Sequence, residues 1–307
     1  MPEPLPPISA SVPRRLSLPN GLEIACQTTS EARYFYEDIF VKRIYVRHGI
    51  DLSDAECVFD VGANIGLFTL FALRFSPRAR VYAFEPAPAL FEILRHNTAG
   101  HGEAVRLFHC GVSRRSGRGT LTFYLSSSGM SSFYGDPDEE REALRSIFEN
   151  QRRQGVEGVE EVLEHADDLL AERLRNKTFD VELLPLSQVI RDEGVERIDL
   201  LKIDVQKSEE DVLAGIEPAD WPKIRQVVVE VHDVAGRVER LREVLEERGF
   251  TVVADQDVHY ESSPIWNLYA ARSRPAETVG CPALSRTRVR AGRLFAAARS
   301  QRRGIAR

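Results

Sequence analysis

With 307 residues, 43% of them hydrophobic, the chain can bury one large α/β core or two smaller ones. Its longest apolar run, Ile65 to Phe75, is too short to span a bilayer, and the N-terminus (MPEPLPPISASVPRRLSL) carries no apolar export segment or cleavage pattern. The net charge of −6 is uneven: from Arg274 onward nine arginines face one glutamate, leaving the body at −14, a poor general binder of nucleic acid.

Residues 1–15, rich in Pro and Ser, read as disordered. Residues 16–50 mix short strand-like pieces with a helix around Tyr34–Tyr45. Helix and strand then alternate regularly. Cys57–Val61 reads as a buried strand, followed by a turn and the helical IGLFTLFALRF. Val81–Phe84 is a second strand ending at Glu85-Pro86, Ala89–Asn97 a helix and Val105–His109 a third strand. Gly119–Leu125 alternates like a strand or hairpin arm. Residues 126–182 break the rhythm with charged helical stretches near Glu139–Arg153 and Val159–Leu174. From 136 to 182 fifteen acids stand against seven bases, as expected of a solvated helical insertion or a lid. Ile198–Ile203, Ile224–Val231, Phe250–Ala254 and Ile265–Ala271 supply four more strands. Helices lie after Ser208 and over Gly236–Arg248, where Gly249 caps the second. Seven strands with intervening helices predict an α/β fold with a doubly wound, mainly parallel, Rossmann-like sheet over residues 16–273. Residues 274–307 form a basic tail, flexible or a basic amphipathic helix. Cys26, Cys57, Cys110 and Cys281 are scattered without a C-x-x-C pair, which speaks against disulfides or a zinc knuckle and for a reducing, cytoplasmic location.

In such a sheet a ligand sits at the carboxyl ends of the strands. Asp60, Glu85 and Asp204 fall at three strand ends, and Glu230, His232 and Asp233 at a fourth. In VFDVGANIG a strand runs through Gly62 and Gly66 into a helix, and glycines there let the backbone approach a ligand. The spacing lacks the middle glycine of G-x-G-x-x-G that admits a diphosphate, and the carboxylate of Asp60 repels phosphate. An acidic turn suits an ammonium and a sulfonium, hence S-adenosylmethionine, with Glu85 accepting from the ribose hydroxyls.

VFDVGANIGLFTL, YAFEPAP, the HCGVS turn, LLKIDVQKSEEDVLAG and VVVEVH, in that order between about Leu18 and Arg272, resemble the FkbM family of methyltransferases. The QKSE run resembles the branch attached to polyketide and nonribosomal-peptide pathways. The resemblance implies a class I methyltransferase sheet of seven strands with a helical insertion. It also implies that Asp60, Gly62, Ala63, Asn64 and Gly66 surround the methionine moiety, together with Asp204. Glu85 and Pro86 would hold the ribose and adenine side, and Gly111 and Val112 the adenine edge. Lys202 shares a strand face with Asp204, which predicts an ion pair with Asp60 or Asp204; as a base it would need a strongly lowered pKa. His232 is the first candidate for the base that an alcohol acceptor needs. Alternatively, Asp204, Glu230 and His232 hold a divalent metal that acidifies the hydroxyl. Tyr34, Tyr36 and Glu37, and Ser132 within Ser131–Tyr134, are candidates for the acceptor pocket. The expected acceptor is a hydroxyl of a secondary metabolite, free or on an acyl or peptidyl carrier protein that the arginine-rich tail could dock. A sugar or glycolipid hydroxyl, a dinucleotide oxidoreductase and an inert scaffold remain as competing readings.

Overall fold

The computed structural model describes residues 13–153, 155, 174–257, 260–261 and 263–272. Its N-terminal hairpin pairs β1 (Arg14–Ser17) with β2 (Glu23–Cys26), so Arg14 and Arg15, inside the stretch expected to be disordered, belong to a strand. Leu16 anchors that hairpin in the core. Helix α1 (Thr29–Tyr36) starts ahead of the predicted helix and continues as a π-helical turn, Glu37–Val41, in which the Lys42 N–H reaches the Glu37 carbonyl at 2.9 Å. Arg43, at positive φ, ends the helix before Tyr45.

The central unit then follows in order: β3 (Cys57–Val61), α2 (Leu67–Phe75), β4 (Arg80–Phe84), α3 (Pro88–Thr98), β5 (Val105–Phe108), β6 (Gly111–Val112), β7 (Gly117–Tyr124) and α4 (Pro137–Arg153). It continues with β8 (Asn176–Leu184), α5 (Leu186–Asp192), β9 (Leu200–Ile203), α6 (Glu209–Ala214), β10 (Gln226–His232), α7 (Arg237–Glu247), β11 (Thr251–Asp255) and β12 (Ile265–Ala271). Seven strands form one sheet in the order β11-β12-β10-β9-β3-β4-β5. Its pairs from β10 through β9, β3 and β4 to β5 are parallel, while β12 runs antiparallel to both its neighbours. The mainly parallel seven-stranded sheet of the sequence reading is therefore present.

Alternation along each strand divides the core. Val58, Val81, Leu200 and Val228 face the cluster that holds α2, α3 and the N-terminal hairpin. Their neighbours Phe59, Tyr82, Leu201 and Val229 face the cluster that holds α5, α6 and α7. Helices thus cover both faces of the sheet, and the parallel strands, sealed on each side, need the continuous apolar runs that mark them in the sequence.

The insertion departs from the expectation of an all-helical segment. Its last part is strand β8, antiparallel to β7 from Gly117↔Leu183 to Tyr124↔Asn176 and parallel to β6, in a separate three-stranded sheet. In NKTFDVELL, Phe179, Val181 and Leu183 alternate with acids, the pattern of a strand with one covered face, which the acidic net charge of the segment masks. Helix α4 matches its prediction. The stretch Val159–Leu174 lies outside the described residues except for Leu174, as do residues 1–12 and the tail from 273 onward.

Candidate functional site

The parallel strands β3, β4 and β9 end on the same edge, and the loops after them enclose a cavity of about 530 Å³. One part of its wall is the β3–α2 turn. Gly62 (φ 80°), Asn64 (φ 52°) and Gly66 (φ 89°) turn the chain back into α2, while Gly62 N–H and Ala63 N–H both donate to the Phe84 carbonyl. A Cβ on Gly62 would lie 1.8 Å from the Asp204 carbonyl oxygen, so this turn rests directly on the backbone after β9.

Beneath the turn lies a buried ion pair. Lys202 Nζ stands 3.1 Å from Asp60 Oδ1 and 3.9 Å from Asp204 Oδ2, and donates to the Gly62 carbonyl at 2.7 Å. Asp60 Oδ2 accepts from Thr69 Oγ1 at 2.7 Å. Burial alone lowers the Lys202 pKa, but Asp60 and Asp204 more than restore it and raise it above the ordinary lysine value. An ammonium held this way carries its charge at neutral pH and has no lone pair with which to act as a base. Asp60, expected to face the ligand, is fully buried and does not line the cavity; its partner Lys202 does. Removing one member of such a pair leaves a bare buried charge. Lys202→Met is therefore expected to lower the unfolding free energy by about 3–5 kcal/mol. Denaturant titration checks this, and Lys202→Met/Asp60→Asn should recover part of the loss; a double variant no better than the single one counts against the pair.

Glu85 ends β4 facing the cavity. Its Oε2 accepts the Asn64 N–H and its Oε1 the Ala87 N–H, each at 2.8 Å. Burial pushes its carboxyl up to about 7 in spite of those two donors. Ala63, Pro86, Gly111 and Val112 also line the cavity; Gly66 does not, and a side chain there would point at Leu94 and Thr98.

Across the cavity Asp204 accepts from Tyr45 Oη at 2.7 Å and from Gln206 Nε2 at 3.0 Å, and the same amide donates to Glu230 Oε1 at 3.2 Å. Burial, then the nearby Asp204, push Glu230 up to about 8. His232 turns Nδ1 toward Glu209 Oε1 at 3.2 Å. The metal arrangement read from Asp204, Glu230 and His232 does not form. The Gln206 amide separates the two carboxylates and the imidazole is directed to Glu209; among the described residues no three His, Cys, Asp or Glu side chains cluster to hold a metal.

Further wall comes from the helix ahead of β3, the segment 126–133 and α4. The π-helical turn directs Asp38 and Ile39 to the cavity, with Tyr34 one turn earlier. Tyr36 instead stacks on Phe40, Glu37 is exposed, and neither lines the cavity, because the face that does, Glu31, Tyr34, Phe35 and Asp38, follows three- and four-residue helical spacing that passes both by. Ser132 is also set back, its hydroxyl bonded to the Gln206 carbonyl, whereas its neighbours Ser131 and Phe133 line the cavity. From α4, Glu140, Leu144 and Phe148, spaced four apart on one face, complete the lining. Lys207 fastens that helix by ion pairs to Glu139 at 2.8 Å and Glu140 at 3.0 Å. The sequence reading missed Tyr45, Gln206, Glu209 and the α4 face. The only local signal for Glu209 was an acid in the first turn of a helix, which ordinarily marks a favourable helix start.

A mainly parallel sheet with its next-to-edge strand reversed, a glycine turn after the first parallel strand and an acid ending the second define a class I S-adenosylmethionine-dependent methyltransferase. The model of the methyltransferase FkbM domain matches residues 60–252, and the chain belongs to that family. It is 43% identical over 266 residues to the 31-O-demethyl-FK506 methyltransferase FkbM of Streptomyces tacrolimicus, covering 86% of this chain and 99% of that protein. It is 40% identical over 271 residues to the AMB antimetabolite synthetase AmbE of Pseudomonas aeruginosa, covering 86% of this chain but 13% of that much longer protein. With the methyltransferase sdnD of Sordaria araneosa the identity is 34% over 236 residues, 74% of this chain and 85% of the relative. The oxidoreductase and scaffold readings give way to the methyltransferase. Among the described residues no helix is long and apolar enough to cross a membrane.

Proposed function

We propose that the chain is an O-methyltransferase that methylates a hydroxyl of a small secondary metabolite of polyketide or peptide type. The observation that carries this reading is the cavity itself. It has the size of small-molecule sites, is walled by Ile39, Ile44, Leu144 and Phe148, and shares its lining between the Gly62 turn and His232, a side chain able to accept a proton. The relative named for a 31-O-demethyl acceptor, together with the one named an antimetabolite synthetase, supports a natural-product hydroxyl.

S-adenosylmethionine supplies an electrophilic methyl group on a sulfonium; the other tasks fall to the chain. Gly62, Ala63, Asn64, Pro86, Gly111 and Val112 bound the space for it, Glu85 accepts from its ribose, and Asp204 adds negative charge opposite a cation. His232 takes the acceptor's proton as the oxygen–carbon bond forms. Helix α4 closes the cavity against water, so that alignment of the two reactants supplies much of the acceleration. The test is to incubate the full chain with methyl-labelled S-adenosylmethionine and a panel of hydroxylated polyketides, peptides and sugars, and to locate the label by mass spectrometry. Label on a polyketide or peptide oxygen is the expected result. Label on nitrogen or carbon, or on sugars alone, overturns the proposal.

Glu85 gives a second measurement. Its carboxyl is pushed up to about 7, so below that pH it holds a proton that binding of the ribose must displace. Affinity for S-adenosylhomocysteine is therefore expected to rise as pH rises through about 7 and then level off, and Glu85→Gln should flatten the curve. Calorimetric titration across that range checks it; a flat curve for the parent protein excludes this role.

A further inference from the structure

His232 lies at the end of β10 beside the starts of α6 and α7, and the group facing its Nδ1 is Glu209, on the first turn of α6. The Glu209 carboxylate is wholly enclosed, an arrangement that demands partners. It has three. Oε1 accepts the Lys207 N–H at 2.8 Å and faces His232 Nδ1 at 3.2 Å, while Oε2 pairs with Arg237 Nη1 at 3.0 Å. The same Nη1 donates to the His232 carbonyl at 3.1 Å, so the guanidinium grips both the acid and the backbone of the histidine. Arg237 Nε extends the chain to Glu210 Oε2 at 3.3 Å. The start of α6, the end of β10 and the start of α7 are thereby locked around one imidazole.

A carboxylate accepts and cannot donate, so it holds the imidazole proton on Nδ1 and leaves the Nε2 lone pair free. Nε2 has no hydrogen-bonding partner among the described residues, and His232 lines the cavity. We infer that Glu209 is a positioning residue: it holds the His232 ring in the one tautomer and orientation from which Nε2 can take the acceptor's proton, and Arg237 balances its charge. The inference rests on the proposed role of His232 as proton acceptor. In the step itself the acceptor oxygen gains a methyl group, the sulfonium loses it, and the hydroxyl proton passes to Nε2. The imidazolium so formed is stabilised by Glu209, with Glu230 and Asp204 the other acids near the ring and Arg237 the nearby cation. A carboxylate placed only to tie α6 to α7 through Arg237 would need no contact with Nδ1.

The experiment is a pH profile of kcat/KM for the full chain and its variants. In Glu209→Gln the acid limb is expected to move to lower pH, because the imidazolium loses the carboxylate that stabilises it. The variant's kcat should fall about tenfold or more, with little change in KM for S-adenosylmethionine. Arg237→Gln should move the limb the other way, because Glu209 then acts on the ring without a compensating charge; this variant also carries the test if Glu209→Gln does not fold. On a His232→Ala background, Glu209→Gln should cost nothing further in kcat. Limbs that stay in place in both single variants while only the melting temperature falls overturn the positioning role, as does a loss that adds to that of His232→Ala. Full activity in His232→Ala removes the proton-acceptor reading and this inference together. An inactive His232→Ala with an unmoved limb in Glu209→Gln removes only the inference.

Discussion

Gly62→Ala is expected to abolish both binding of S-adenosylhomocysteine and methyl transfer while leaving most of the fold in place. The added Cβ would lie 1.8 Å from the Asp204 carbonyl oxygen and 2.9 Å from its carbon, and the obstacle is backbone that has no rotamer into which to retreat. That backbone is also pinned, since the Asp204 N–H donates to the Val61 carbonyl at 3.0 Å. The φ of 80° adds about 1–2 kcal/mol of strain for any residue with a side chain. Relief requires the turn after β3 to lift from the loop after β9, which carries Asp204 and Gln206 away from Glu85. Gly66→Ala is the control: its Cβ would meet the Leu94 methyl at 2.7 Å, the end of a side chain that can rotate, so a milder loss is expected. Calorimetry with S-adenosylhomocysteine and a circular-dichroism melt separate site from fold. Binding in Gly62→Ala within about tenfold of the parent protein would show that the contact with Asp204 does not shape the site.

The contrast between these glycines shows what the sequence could and could not disclose. Sheet and helices were legible because burial on both faces demands runs such as CVFDV and LLKI, and a run of that kind stands out by local period alone. The turn was legible because glycines at that spacing have few other uses. Contacts between segments far apart in the chain were not. Asp60 was placed against the ligand because its position in the motif allows it, yet its direction is set by Thr69 in the first turn of α2 and by Lys202, its register partner on the adjacent β9, six strands later in sequence. Strand β8 was hidden by its acids, which sit on the outward positions of a strand whose other face, Phe179 and Val181, joins the core. Tyr36 and Glu37 lie off the helix face of Glu31, Tyr34, Phe35 and Asp38 that lines the cavity, and no local pattern tells which face a helix turns to a site formed by distant segments. Glu209 looks like a routine acid at a helix start until His232 and Arg237, from two later elements, are set beside it.

His232→Ala is expected to lower kcat by about 10²–10⁴, the usual worth of a positioned proton acceptor, with cofactor affinity unchanged. Burial acts to lower the imidazole pKa, but Glu209, Glu230 and Asp204 together outweigh it, and the ring stays protonated to higher pH than an ordinary histidine. Only the neutral ring accepts a proton, so the rate should be lost as pH falls through that raised pKa and be full above it. Glu230 would produce a limb of the same sign, because its carboxyl is pushed up to about 8 and it is mostly protonated at neutral pH. The two are separable. Glu230→Gln is close to an isostere of the protonated acid and keeps a group to bond with Gln206, so it should cost less than about tenfold and leave the limb in place. His232→Ala should erase the limb along with the rate. If instead the limb vanishes in Glu230→Gln and persists in His232→Ala, the proton goes to the carboxylate, and Glu209 is left as a structural tie. Single-turnover rates at several pH values give the answer most directly, since they report the methyl-transfer step before product release can mask it.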